Sequence, residues 1–274
     1  MSKIICNKYS DSIVEMILNK PERRNALDAD MMDELNARLL SADADNDIRV
    51  VIIKGSGEHF CSGADLKMAP EGGYSIDERR AMLSRYNRVV KTILTMEKPV
   101  LSVVRGYAVG GGMSLALCCD IIFAAEDAKF YGNFVKAGIV PEMGAMMILP
   151  QLIGLNRAKE LWFTGETVDG KRACELGFVN HAYPSESLDE EVYAFARTLA
   201  GMPKIAMGIT KRVTNSTVLA GLDALLECEQ QASPFCGSTE EFKKRREAFL
   251  NKKKKGGFGI KWQRNCQKRA ETTI

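Results

Sequence analysis

Glu142 sits in the stretch KAGIVPEMGAMMILPQLIG, which is otherwise almost wholly apolar. Pro141 and Met143 flank it, and Met146, Met147, Ile148 and Leu149 follow closely. Burying an ionised carboxylate without a partner is costly. Burial also raises its proton affinity, which makes a better base. Two readings stand side by side: a turn carboxylate facing solvent, or an acid kept dry by methionines so that it can move a proton.

Two small-residue turns offer a second kind of chemistry. GYAVGGGMSLAL places Gly110, Gly111 and Gly112 between a strand and a helix. The run reads either as a tight turn with close backbone packing or as bare N–H groups facing an anion. It is neither GxGxxG nor GxxxxGK[ST], which weakens dinucleotide and NTP readings. HFCSGADLK, from His59 to Lys67, puts Ser62, Gly63 and Ala64 soon after another strand. Two such turns, each aiming one N–H at the same oxygen, have the geometry of an oxyanion hole.

The elements that would hold these turns alternate. Ile13 to Leu18 alternates as an early strand, VVIIKGSG reads as a buried parallel strand closed by glycines, and PVLSVVRGYAVGG repeats that logic. Helical spacing covers Asp28 to Leu40 and Asp77 to Met96, and MSLALCCDIIFAAE is a buried helix running into a strand at Ile121 to Ala124. This alternation predicts an α/β layered core over residues 1–195. Separate helical runs after Pro184, KIAMGITKRVTNS and AGLDALLECEQQAS among them, predict a helical region over 196–255. A tail of unknown role fills 256–274. The faces carrying Ala206, Ile209, Val213 and Leu222, Leu225, Leu226 predict burial against other copies of the chain.

Composition narrows the class. In 274 residues, 38 Lys+Arg nearly balance 35 Asp+Glu, so a nucleic-acid partner is not indicated. No apolar run approaches the roughly 20 residues of a membrane span, and the first residues lack signal-peptide architecture. A cytoplasmic protein with free buried thiols is expected, because the eight cysteines show no CxxC spacing. Two histidines, with no HExxH and no Cys/His cluster, predict no metal site.

PERRNALDADM, HFCSGADL, KPVLSVVRGYAVGGGMSLALCCDIIFAAEDAKF, GIVPEMG and AKELWFTGETVDGKRACELGFVNHAYP occur in this order. Together they resemble the crotonase (enoyl-CoA hydratase/isomerase) superfamily over about residues 1 to 255. The resemblance implies an α/β spiral of ββα units with a C-terminal helical trimerisation region. It implies an acyl-CoA thioester substrate, with coenzyme A as part of that substrate and no separate cofactor, and a trimer or dimer of trimers. The oxyanion N–H groups fall on Ala64 and Gly111. Arg24, Asn25 and Ala26, then Ser62, Asp65 and Leu66, would line the CoA path, with Phe249 and Lys252 reaching the adenosine end in a neighbouring subunit. Met82 and Tyr86 border the acyl pocket or belong to ordinary core.

Hydratases of this superfamily carry two glutamates, one just after the glycine run and one about twenty residues on. Ser114 and Phe134 stand at those places here. Glu142 is similar in position to the single acid of Δ3,Δ2-enoyl-CoA isomerases, with Met143 beside it. The resemblance therefore implies an isomerase moving a C3 double bond to C2, with Glu142 the sole acid in the pocket. The alternatives are another crotonase-type reaction (hydratase, hydrolase or lyase) and a non-catalytic acyl-CoA-binding homologue.

Overall fold

The computed structural model describes residues 2–68, 70 and 73–254. The elements run β1 (Ile4–Lys8), β2 (Ile13–Leu18), α1 (Ala29–Ala44), β3 (Val50–Gly55), α2 (Ile76–Thr95), β4 (Val100–Val104), β5 (Tyr107–Val109) and α3 (Gly111–Leu117). They continue with β6 (Ile121–Ala125), β7 (Lys129–Tyr131), α4 (Phe134–Ala137), α5 (Ala145–Ile153), α6 (Leu155–Thr164), β8 (Thr167–Asp169) and α7 (Gly170–Leu176). The chain closes with β9 (His181–Tyr183), α8 (Leu188–Ala200), α9 (Lys204–Ser238) and α10 (Glu240–Lys254). A six-stranded sheet has the order β1-β2-β3-β4-β6-β9, parallel except for the β1–β2 pair, and β5-β7-β8 form a second sheet.

Successive turns of chain place one strand in the large sheet, one extended segment beside it, and then a helix. β4, β5 and α3 make one such turn, and β6, β7 and α4 the next. In the two earlier turns the second strand shrinks to single parallel bridges, Leu27 with Ala64 and Cys61 with Ala108. This is the expected spiral of ββα units. It stacks the 61–64 segment directly against β5 and the glycine turn that follows. Every residue of β4 is buried, as a strand covered on both faces requires.

Local chemistry fixes the helix starts. The Asp28 carboxylate accepts the Met31 N–H (2.9 Å) to cap α1. Ser75 and Glu78 close a reciprocal capping box on α2. α2 packs against both α1 and α9, so the C-terminal helix lies on the core rather than apart from it.

Several expectations change. β1 was not anticipated. The two helical runs read after residue 203 are one 35-residue helix, α9, which continues through Asn215, Ser216 and Thr217. Asn215 donates to the Leu94 carbonyl of α2 (2.9 Å) while the other two bond back within α9, so packing overrides weak propensity there. The division at 195/196 falls inside α8, which packs on β2, β3 and β6. Leu222 and Leu226 are buried within the chain itself, whereas Ile205, Ile209 and Val213 are exposed. Of the seven described cysteines all are free, but Cys6 and Cys228 are exposed and only Cys61, Cys118 and Cys119 are buried. The 256–274 tail lies outside the described residues.

Candidate active site

The two small-residue turns meet. Gly63 adopts φ +80°, and a Cβ there would lie 2.6 Å from the Val109 carbonyl oxygen and 3.4 Å from the Gly111 nitrogen. Only glycine permits that approach. Leu27 bonds to the residues flanking Ala64: its N–H donates to Gly63 O (2.8 Å) and its carbonyl accepts from Asp65 N (2.9 Å). In a parallel bridge this turns the Ala64 N–H to the opposite side. Gly110, at φ +52°, donates to Tyr131 O (2.9 Å), and Gly111 opens α3, where helix geometry leaves its N–H without a partner. Among the described residues neither the Ala64 N–H nor the Gly111 N–H donates to a protein acceptor. Because α3 has only seven residues, these two directed donors carry the electrostatics rather than a long helix dipole.

Behind the first turn lies a charged brace. Asp65 receives Arg23 (2.6 Å) and Lys20 (2.9 Å), and Lys20 and Lys3 both reach Asp28 (2.8 Å each). Burial pushes the Asp65 and Asp28 carboxyls up, but these cations and the backbone donors hold both below their ordinary value. Asp65 thus braces the loop. Asn25 is fully buried: it accepts from Lys20 N and donates to Ser56 O and His59 O, so its side chain shapes the loop instead of reaching a ligand. Arg24 is half-buried, its guanidinium carbon 5.8 Å from the Tyr107 ring centre, and its carbonyl accepts the Ser62 N–H. The Ser62 hydroxyl donates to Arg23 O (3.1 Å). Ala26 is buried and Leu66 half-buried.

Glu142 is 6% exposed, in a turn that reverses through Met143 (φ +61°) and Gly144 (φ +75°). That turn reaches the glycine run: a Cβ on Gly111 would lie 3.4 Å from the Met143 sulfur. Of the methionines that follow, Met143 is fully buried while Met146 and Met147 are half-buried. The carboxylate itself meets α2 and α9. The Ser233 hydroxyl donates to Glu142 Oε1, and Arg79 Nη2 stands 3.9 Å from the same oxygen. Burial drives the Glu142 proton affinity above the ordinary value, with Arg79 and Ser233 opposing it. Tyr86 is buried, donates to Leu27 O (3.1 Å), and feels the Glu142 charge. Met82 is half-buried on the same helix.

Ser114 is wholly buried on α3, with its hydroxyl 3.4 Å from Gly110 O. Phe134 packs edge-on against Trp162 and borders Gly110. Neither carries an acid where a hydratase pair would need one. The side chains of Phe249 and Lys252 lie outside the described residues. No group of three His, Cys, Asp or Glu side chains able to hold a metal ion, and no helix long and apolar enough to cross a membrane, occurs among the described residues.

Sequence reasoning missed Arg79, Ser233 and, above all, Glu229. Glu142 does not stand alone: Glu229, 1% exposed on α9, is close enough that their charges interact. Glu229 Oε2 accepts the Gly144 N–H (3.1 Å). Burial, joined by the Glu142 charge, pushes the Glu229 carboxyl up to about 8. A readable signal existed. Leu222, Leu226, Glu229 and Ser233 share one stripe of α9, so an acid lies on an otherwise buried helical face.

Sequence and fold match one family. A family model described as enoyl-CoA hydratase/isomerase covers residues 8–258. The chain belongs to the enoyl-CoA hydratase/isomerase family. It is 31% identical to the 1,2-epoxyphenylacetyl-CoA isomerase of Escherichia coli (strain K12), over 92% of this chain and 97% of that one. It is 32% identical to the crotonyl-CoA hydratase of Syntrophomonas wolfei, over 89% and 94%. The crystal structure of an enoyl-CoA hydratase from Bacillus halodurans superposes with a TM-score of 0.84 at 28% identity, covering 90% of this chain and all of that one. This enoyl-CoA hydratase/isomerase family member therefore has relatives named as an isomerase and as a hydratase.

Proposed function

We propose that the protein is an enoyl-CoA isomerase that moves a C3 double bond to C2 of a thioester through a one-base shuttle. One observation carries this reading: Glu142 is a buried carboxylate in a turn whose next residue, Met143, reaches Gly111, while Ser114 and Phe134 occupy the places of a hydratase's two acids. The ionised Glu142 carboxylate takes a proton from C2. The C3–C4 double-bond electrons conjugate with the carbanion, and negative charge collects on the thioester oxygen. Two N–H groups that need no reorganisation stabilise that dienolate, and losing one such donor costs about 10²- to 10³-fold in rate. The same carboxyl group then returns the proton to C4. Raised proton affinity brings Glu142 closer to the weakly acidic carbon, which favours transfer.

Support for the rest of the complex is local. The CoA part of the substrate would run along Arg24, Ala26, Ser62 and Leu66, with Asn25 and Asp65 holding that path in shape; no separate cofactor is needed. Ile205, Ile209 and Val213, exposed at successive turns of α9, offer an apolar face for a trimer or dimer of trimers. Light scattering showing a stable monomer at micromolar concentration would refute the assembly.

Water addition is the second reading, favoured by Glu229, which gives the site two carboxyl groups of different proton affinity. Purified protein given 3-enoyl-CoA and 2-enoyl-CoA separates the two. Conjugated 2-enoyl thioester formed from the 3-enoyl substrate supports isomerisation. Hydration of 2-enoyl-CoA without migration favours the second reading, and silence on both refutes each.

A further inference from the structure

α9 presents two polar side chains one helical turn apart to the Glu142 turn. Glu229 meets the turn's backbone at the Gly144 N–H, and Ser233 meets the carboxylate itself. Between these contacts, Met143 and Gly144 hold positive φ, and for Met143 that is a strained conformation. Such a turn persists only where its surroundings fix it. Met143 also touches the Gly111 side of the oxyanion hole, so a shift of the turn would move base and donors together.

We infer that Glu229 and Ser233 are positioning residues, by which α9 sets the orientation of the Glu142 carboxylate relative to the oxyanion donors. This rests on the reading of Glu142 as the base. Glu229 holds the turn through its acceptor oxygen, and Ser233 restrains Glu142 Oε1. The remaining oxygen, Glu229 Oε1, is buried without a hydrogen-bond partner among the described residues, so an ionised Glu229 is poorly compensated. The titratable groups facing this pair are Glu142 in the turn, Arg79 and Tyr86 on α2, and Cys118 beyond α3. Burial keeps the Tyr86 hydroxyl and the Cys118 thiol protonated. Glu229 is therefore the group whose ionisation changes the charge beside the base near pH 8. A second negative charge there repels the Glu142 carboxylate and disturbs the orientation that the Gly144 and Ser233 contacts set, which weakens turnover.

The test is kcat and KM on 3-enoyl-CoA from pH 6 to 9.5 for the wild type, Glu229→Gln, Glu229→Ala and Ser233→Ala. Misplacement of the base predicts that the two alanine variants lose roughly 10- to 10²-fold in kcat with KM within about threefold. The glutamine keeps an acceptor oxygen, so Glu229→Gln should retain most activity at pH 7. The wild type should lose kcat as pH rises through about 8, and Glu229→Gln should lack that fall. Wild-type kcat in both alanine variants, or an unchanged alkaline fall in Glu229→Gln, overturns the inference. Should Glu229→Ala fail to fold, the Glu229→Gln pH profile decides alone. A Glu142→Gln variant as active as wild type means that the reading of the base has failed instead. An inactive Glu142→Gln beside unaffected α9 variants refutes the positioning role only.

Discussion

Arg79 Nη2 stands 3.9 Å from Glu142 Oε1, within ion-pair range but beyond hydrogen-bond range. At that separation the guanidinium eases the cost of ionising a buried carboxylate without gripping it. The balance still favours burial, and the Glu142 proton affinity remains above the ordinary value. The result is a carboxylate that can ionise yet keeps a raised proton affinity.

Replacing Arg79 should expose that balance. Arg79 lowers the Glu142 proton affinity, so Arg79→Met should raise it further. The acidic limb of the kcat/KM profile should then move to higher pH, with activity near neutrality falling most. A limb that stays in place or moves to lower pH would contradict the assigned pairing.

Gly63 and Gly57 make a matched comparison. Both have positive φ, so an alanine at either site costs about 1–2 kcal/mol of backbone strain. At Gly57 the nearest atom to an added Cβ is Pro21 Cβ at 3.5 Å, whereas at Gly63 it is the Val109 oxygen at 2.6 Å. Gly57→Ala should therefore lose some stability and keep its kcat. Gly63→Ala should displace the Ala64 and Gly111 donors and lose at least ~10² in kcat. Denaturant midpoints and turnover measured on both variants check this, and equal kcat values would count against the oxyanion geometry.

Asp65 links stability to acid. Its folded-state proton affinity is lowered, so its contribution is present above the ordinary carboxylate range and is lost as pH falls through the folded value. Asp65→Asn should cost about 1–3 kcal/mol at pH 7. The gap to wild type should close in acid. Thermal melts across pH 3 to 7 test the sign, and a gap that widens in acid would contradict it.

Both functional turns were legible because their signals are local. Gly110 to Gly112 and Ser62 to Ala64 follow strands, and a carboxylate inside an apolar run marks Glu142 from its own neighbours. The partners of Glu142 were not legible. Ser233 lies 91 residues away and Arg79 lies on another helix, and nothing in local spacing joins them. Glu229 was hidden further: it lies within the AGLDALLECEQQAS run, whose apolar face with Leu222 and Leu226 points by its pattern to other copies of the chain, whereas it packs on the chain's own core. β1 escaped for a different reason: Ile5 is exposed and only Ile4 of that edge strand is buried, which leaves little periodic signal.

The central claim is that Glu142 moves the proton. Glu142→Gln keeps the shape of the side chain and removes the base. Under saturating 3-enoyl-CoA the variant should form 2-enoyl-CoA at least ~10² more slowly than the wild type, while binding the thioester with unchanged affinity. A Glu142→Gln enzyme that isomerises at the wild-type rate would contradict the account.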